Sequence, residues 1–141
     1  MKVVIFSHGH PDFSKGGAEL AAWNLAKGID SLPDHEAWFI GRADQRIMHQ
    51  FTQLAAIGER NYLMAGNAHI PDLTATIALT EDGDVSQLLR RIDPDVIHFH
   101  HYTFLGMELI RLAKKNCPNA KIIVTLHEYI AICMNNGQMV K

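Results

Sequence analysis

"PDVIHFHHYTFLGMELIRLAKKNCPNAKIIVTLHE", residues 94–128, is the stretch that decides the fold. After the helix-breaking "DPD" at 93–95, "VIHF" at 96–99 is an apolar run of strand length. Leu105, Leu109, Leu112 and Ala113 then share one helical face, which predicts a helix from about Thr103 to Lys115. "CPNA" stops that helix, and "KIIVTL" at 121–126 reads as a second buried strand. A strand, a crossover helix and another strand form a βαβ unit, whose two strands run parallel.

The same alternation extends upstream. Val85, Leu88, Leu89 and Ile92 have helical spacing behind Asp84 as N-cap. "KVVIF" at 2–6 is a continuous apolar run, as a buried parallel strand would be. Following the pair Gly16–Gly17, Ala18, Ala21, Ala22, Leu25 and Ile29 place a helix with one apolar face. Gly28 and "SLPD" stop it, and "HEAWFIG" at 35–41 reads as a strand. Residues 42–83 are less periodic: "QRIMHQFTQLAAI" has weak helical character, while "NYLMAG" and "TATIAL" suit short strands. The expected fold is α/β and Rossmann-like, an open, mostly parallel sheet with helices on both faces. It forms one domain over 1–141. The tail "HEYIAICMNNGQMVK" carries no domain-closing helix, so the chain is expected to be part of a longer protein.

Bulk properties exclude several classes. The 141 residues are 48% hydrophobic and 20% charged, as in an ordinary globular domain. A net charge of −2 without a basic run gives no nucleic-acid footprint. No apolar stretch approaches the ~18 residues that span a bilayer, and the N-terminus lacks the apolar core of a signal peptide. Cys117 and Cys133 form no CxxC and imply no disulfide framework. A cytoplasmic location is expected.

Chemistry converges on three strand ends. In an open parallel sheet, ligands bind beyond the carboxyl ends of the strands. The first strand ends in Ser7, His8 and His10; the 96–99 strand runs into His98, His100 and His101; the 121–126 strand ends in His127 and Glu128. These are six of the nine histidines, and all border one crevice if the strands are parallel. One of His98 and His100 can instead be a satisfied core residue. Gly16 and Gly17 stand where the first loop enters the first helix, a place where the backbone N–H groups and the helix dipole favour an anion. The plainer reading is a tight turn, since neither GxGxxG nor GxxxxGK[ST] is present. Glu19 falls in the first helical turn and suits a capping role. The segment "HGHPDFSK" reads as a flexible loop over the crevice. His8, His10 and Asp12 also admit a zinc reading, and "HPD" is similar to the motif of zinc-dependent sugar deacetylases of the PIG-L type. Phe13 stands where the second acid of that motif belongs, and no HExxH occurs, so no metal is expected. A non-catalytic Rossmann-like binding module is the third alternative.

Taken together, "GGAE" after the first strand, "PDVIHFHHYTFLGMELIRLAKK" and "IIVTLHEYIAICMNNGQM" resemble the N-terminal domain of glycosyltransferase family 4. The likeness is good over 1–29 and 84–139 and loose over 42–83, on the variable acceptor side. It implies a retaining, sugar-nucleotide-dependent enzyme of GT-B architecture, in which two Rossmann-like domains face each other across a cleft. By that resemblance the N-terminal domain binds the acceptor, a glycan or lipid-linked molecule, and a C-terminal domain holds the nucleotide sugar. Gly16 and Gly17 would approach the donor diphosphate, and His127 would contact the donor sugar at the reacting centre. His8, His98, His100, His101 and Glu128 would line the cleft on the acceptor side. No cofactor or metal is implied, and a lipid-linked acceptor implies peripheral contact at the inner face of a membrane. The family's Glu-x7-Glu motif belongs to the C-terminal domain. Glutamates here are 19, 36, 59, 81, 108 and 128, none eight apart, so this chain alone is expected to be inactive.

Overall fold

In the computed structural model, residues 1–44, 47–48, 53–66 and 79–129 are described. β1 (Lys2–Ser7) is the centre of a six-stranded sheet in which it pairs in parallel with β2 (Glu36–Asp44) on one side and β5 (Val96–His100) on the other. That position explains its unbroken apolar run, because both of its faces are covered. Val3 and Ile5 pack with Ala37 and Phe39 under α1 (Gly17–Asp30). Val4 and Phe6 face the larger core with Ile97 and Phe99, under α2 (Asp84–Ile92) and α3 (Met107–Asn116). The rings of Phe6 and Phe99 stack at 5.0 Å.

β4 (Asn61–Gly66) lies parallel to β2, and β6 (Lys121–Thr125) parallel to β5. The strand order is β3-β4-β2-β1-β5-β6. From β1 the chain moves through α1 to β2 on one side. It later returns through α2 to β5 on the opposite side, so the direction of winding reverses between β1 and β5. Such a switch point opens a crevice at the carboxyl ends of the two strands.

Several local expectations are corrected. Residues 54–56 of the weakly helical stretch form a short strand, β3 (Leu54–Ala56), antiparallel to β4. "TATIAL" lies almost wholly outside the described residues. β2 continues past Gly41 to Asp44. Gly83 rather than Asp84 is the N-cap of α2. α3 begins at Met107, not Thr103, because His101, Phe104 and Gly106 adopt φ of 73°, 64° and 84°, which no helix accommodates. The buried face of α1 is rotated from the expected stripe: Glu19, Ala22 and Ala26 are buried, whereas Leu25 is exposed. β6 is not a buried strand: as an edge strand it leaves Ile123 and Val124 at 44% and 40% exposure.

The amino ends of the strands are stitched shut. The Lys2 N–H donates to Asp95 Oδ2 at 2.7 Å and its Nζ to the Ile92 carbonyl at 2.9 Å. Arg60 pairs with Asp30 at 2.9 Å and with Glu36 at 3.4 Å.

Candidate active site

At the carboxyl ends the situation is the opposite. Among the described residues, four buried side-chain atoms have no hydrogen-bond partner: Ser7 Oγ, Arg42 Nε, His100 Nε2 and His101 Nε2. Ser7 and His100 end β1 and β5, His101 follows β5, and Arg42 lies two residues before the end of β2. Buried polar groups are nearly always satisfied, so this cluster marks an edge shaped for something other than its own packing.

Register places the histidines. Ser7 pairs with His100 across β1–β5, and His100 pairs with Thr125 across β5–β6. Alternation along β5 sends His98 and His100 to the same face, with ring centroids 4.4 Å apart. His98 Nε2 lies 2.7 Å from Thr125 Oγ1, and His100 Nδ1 lies 3.0 Å from His127 Nε2, with those two rings stacked. His8 Nδ1 donates to the His100 carbonyl at 3.3 Å, and its Nε2 lies 3.6 Å from Glu19 Oε1. The three strand ends therefore meet in one chain of contacts: Glu19, His8, the β5 end, His127. His100 is 4% exposed. Burial first, then the neighbouring His98, His127 and His8, push its pKa down to about 4. Burial and His127 lower His98 as well. These rings are neutral at neutral pH, and they act as hydrogen-bonding groups rather than as cations.

His101 has a fixed tautomer. Its Nδ1 receives the Tyr102 N–H at 3.1 Å, the Thr103 N–H at 3.0 Å and the Thr103 hydroxyl at 2.6 Å. Nδ1 is thus the bare nitrogen, and the proton sits on Nε2, the atom left without a partner. Burial chiefly lowers its pKa, with His8 adding to the effect, while Glu128 pulls the other way. His127 and Glu128 themselves are exposed at the rim.

The β1–α1 loop is tied down rather than loose. His10 is fully buried, packed against Trp23 and Phe39. Its Nδ1 accepts the Asp12 N–H at 3.2 Å, its Nε2 donates to Asn61 Oδ1 at 3.1 Å, and its carbonyl accepts from the Phe13 and Ser14 N–H groups. Both nitrogens of His10 are committed to holding the loop. Among the described residues, no group of three His, Cys, Asp or Glu is placed to hold a metal ion.

Glu19 does not cap α1 through a side-chain hydrogen bond. Its carboxylate is buried, accepts the Ser14 hydroxyl at 2.8 Å and folds back over the loop glycines. A Cβ on Gly16 would lie 2.1 Å from Glu19 Oε2, whereas a Cβ on Gly17 would meet nothing within 4 Å. Gly16 therefore makes room for a carboxylate of the protein itself, and Gly17 is the glycine with open space before it.

Sequence reasoning missed Arg42. It stands one residue past the expected end of β2 and shares a cavity of about 280 Å³ with His8, Gly9, Glu19, Asp44 and Phe104. The signal was present, since a polar residue at a strand's carboxyl end is what singled out the other three groups.

No helix among the described residues is long and apolar enough to cross a membrane. Neither the comparison with curated proteins nor that with solved structures finds a match. The family model described as Glycosyltransferase Family 4 matches residues 15–137, from the loop before α1 to beyond β6. That match covers most of a chain whose sheet is Rossmann-like and whose polar groups gather at its switch point, and the chain belongs to glycosyltransferase family 4.

Proposed function

We propose that the chain is the acceptor-side domain of a retaining GT-B glycosyltransferase. It moves a hexosyl group from a nucleotide sugar to a glycan or lipid-linked acceptor. The observation that carries this reading is the gathering of partnerless polar groups at the β1/β5 switch point of a family 4 chain. A sugar presents many hydroxyl groups, each both donor and acceptor. Ser7, His98, His100 and His101 offer matching neutral donors and acceptors without the solvation cost of a buried charge.

Glycosyl transfer passes through an oxocarbenium-like transition state while a diphosphate departs. The open face of Gly17 at the start of α1 lets the departing phosphate approach backbone N–H groups and the helix dipole. Gly16 is less available, because the Glu19 carboxylate occupies the space beside it. His127, hydrogen-bonded to His100 at the rim, is the residue assigned to the donor sugar at the reacting centre. Glu128, His8 and the β5 histidines line the acceptor side. The nucleotide sugar is held by a C-terminal domain of the same polypeptide, no metal or cofactor takes part, and the enzyme works on the cytoplasmic side, in peripheral contact with the membrane when the acceptor is lipid-linked. The chain alone does not transfer sugar.

The test is His127→Ala in the full-length enzyme, followed by steady-state transfer. Loss of one hydrogen bond made in the transition state is expected to lower kcat by about a hundredfold or more, with KM for the acceptor little changed. An unchanged kcat would remove His127 from the reacting centre.

A further inference from the structure

The roles assigned so far leave Arg42 unused, and its setting is built rather than incidental. Its stem lies against Gly66, where a Cβ would stand 2.8 Å from Arg42 Cγ. Its guanidinium lies over the Phe104 ring at 5.2 Å, and Phe104 holds that position from a left-handed backbone with φ of 64°. Held between a glycine and an aromatic ring, the side chain has its planar fork fixed in direction, yet its Nε is buried without a hydrogen-bond partner. The cavity beside it, about 280 Å³, is bounded across the way by His8 and Gly9. That volume is at the small end of ligand pockets, the scale of one sugar residue.

Two carboxylates, those of Glu19 and Asp44, also line this cavity. The Glu19 carboxylate is turned toward the Ser14 hydroxyl and His8. The charge of Asp44 offsets only part of the effect of burial on the guanidinium, whose pKa remains below its ordinary value. A partly desolvated guanidinium held against a ring, with a buried Nε–H that lacks an acceptor, can recognise a carboxylate or a phosphate in the plane of its fork. A neutral sugar hydroxyl would meet the hydrogen bond but add no opposing charge to the partial one that Asp44 supplies.

Resting on the acceptor-side reading above, we propose that Arg42 anchors an anionic group, a phosphate or a carboxylate, carried by the acceptor. The enzyme's acceptor is accordingly an acidic sugar or a sugar phosphate rather than a neutral glycan. The anion sits between Arg42 and His8, and the rest of the acceptor extends from there toward the β5 histidines.

The experiment follows the Arg42 Nε–H resonance of the isotopically labelled chain during titration with glucose, glucose 6-phosphate, glucuronate and UDP. Glucose 6-phosphate or glucuronate is expected to shift that resonance saturably and to bind at least about tenfold more tightly than glucose. Whichever of the two binds better identifies the anion. R42Q is expected to abolish that advantage. G66A, which keeps the charge but crowds the stem, is expected to reduce it severalfold. If R42Q does not fold, the wild-type resonance and G66A still decide. Equal affinity for glucose and glucose 6-phosphate overturns the proposal, as does UDP moving the resonance more tightly than glucose 6-phosphate, which would assign the anion to the donor. These titrations need no turnover, so they can fail while the His127→Ala result stands, and the reverse.

Discussion

Two adjacent glycines in the β1–α1 loop have opposite reasons for lacking a side chain. Gly16 yields to Glu19, whose carboxylate holds the Ser14 hydroxyl and faces His8 from a buried position. Gly17 yields to nothing in the protein. Gly16→Ala is therefore expected to displace the carboxylate and to cost about 1–3 kcal/mol in urea denaturation, the range for overpacking and for a buried polar group deprived of its partner. Gly17→Ala occupies open space at the first helical position and is expected to leave stability unchanged or raise it by up to ~1 kcal/mol. Equal losses in the two variants would contradict this division. Any effect of Gly17→Ala on donor affinity then belongs to the ligand alone, which makes it the cleaner probe of the diphosphate assignment.

At the scale of elements, β5 and β6 are neighbours with equally apolar sequences and unequal burial. Ile97 is fully buried beneath α2 and α3, and Ile123 is 44% exposed at the edge. Ile97→Ala is expected to cost about 2–5 kcal/mol, and Ile123→Ala less than about 1 kcal/mol. Comparable losses, measured by chemical denaturation of both variants, would show that β6 is covered in solution. The contrast also explains which parts of the fold were legible in sequence. An apolar run announces a strand, as at β1, β5 and β6, but it does not say which of its faces a helix will cover. The helical period located α2 and α3, yet the start of α3 depended on the positive φ of His101, Phe104 and Gly106, and two of these are not glycine. The alanine-rich α1 offered two overlapping stripes. The sheet took the one with Ala22 and Ala26, the small residues that allow close approach, together with Glu19. β3 is three residues long, too short for any period to register. In the site, the histidines stood out because strand ends are readable. Arg42 was lost with the end of β2, and the burial of Glu19 follows from the fold of the loop, which no spacing encodes.

At the scale of the whole molecule, the sheet is polarised. Its amino ends are closed by Lys2, Asp95 and the Arg60 ion pairs, and its carboxyl ends carry the neutral histidines. This makes the fold acid-sensitive in a defined direction. His100 binds its proton only near pH 4 in the native state, and His98 and His101 are lowered too, whereas in an unfolded chain all three titrate near 6.5. Between those values the unfolded state holds protons that the native state refuses. The His100 contribution to stability is complete above about pH 6.5, falls as the pH drops toward 4 and changes little below that, and those of His98 and His101 fall in the same direction. Thermal unfolding at intervals from about pH 7.5 to 4 should show a falling midpoint, with a shallower slope in His100→Asn. A midpoint constant over that range would contradict the burial of these rings.

The partnerless atoms at the carboxyl edge have one more consequence, and it concerns melting temperature. A molecule that supplies their missing partners binds the folded chain and not the unfolded one. At a concentration a hundredfold above its dissociation constant it adds about 2.7 kcal/mol to stability. Occupancy of the crevice is thus written into the unfolding temperature, and candidate acceptors can be ranked on this chain before any transfer reaction is in hand.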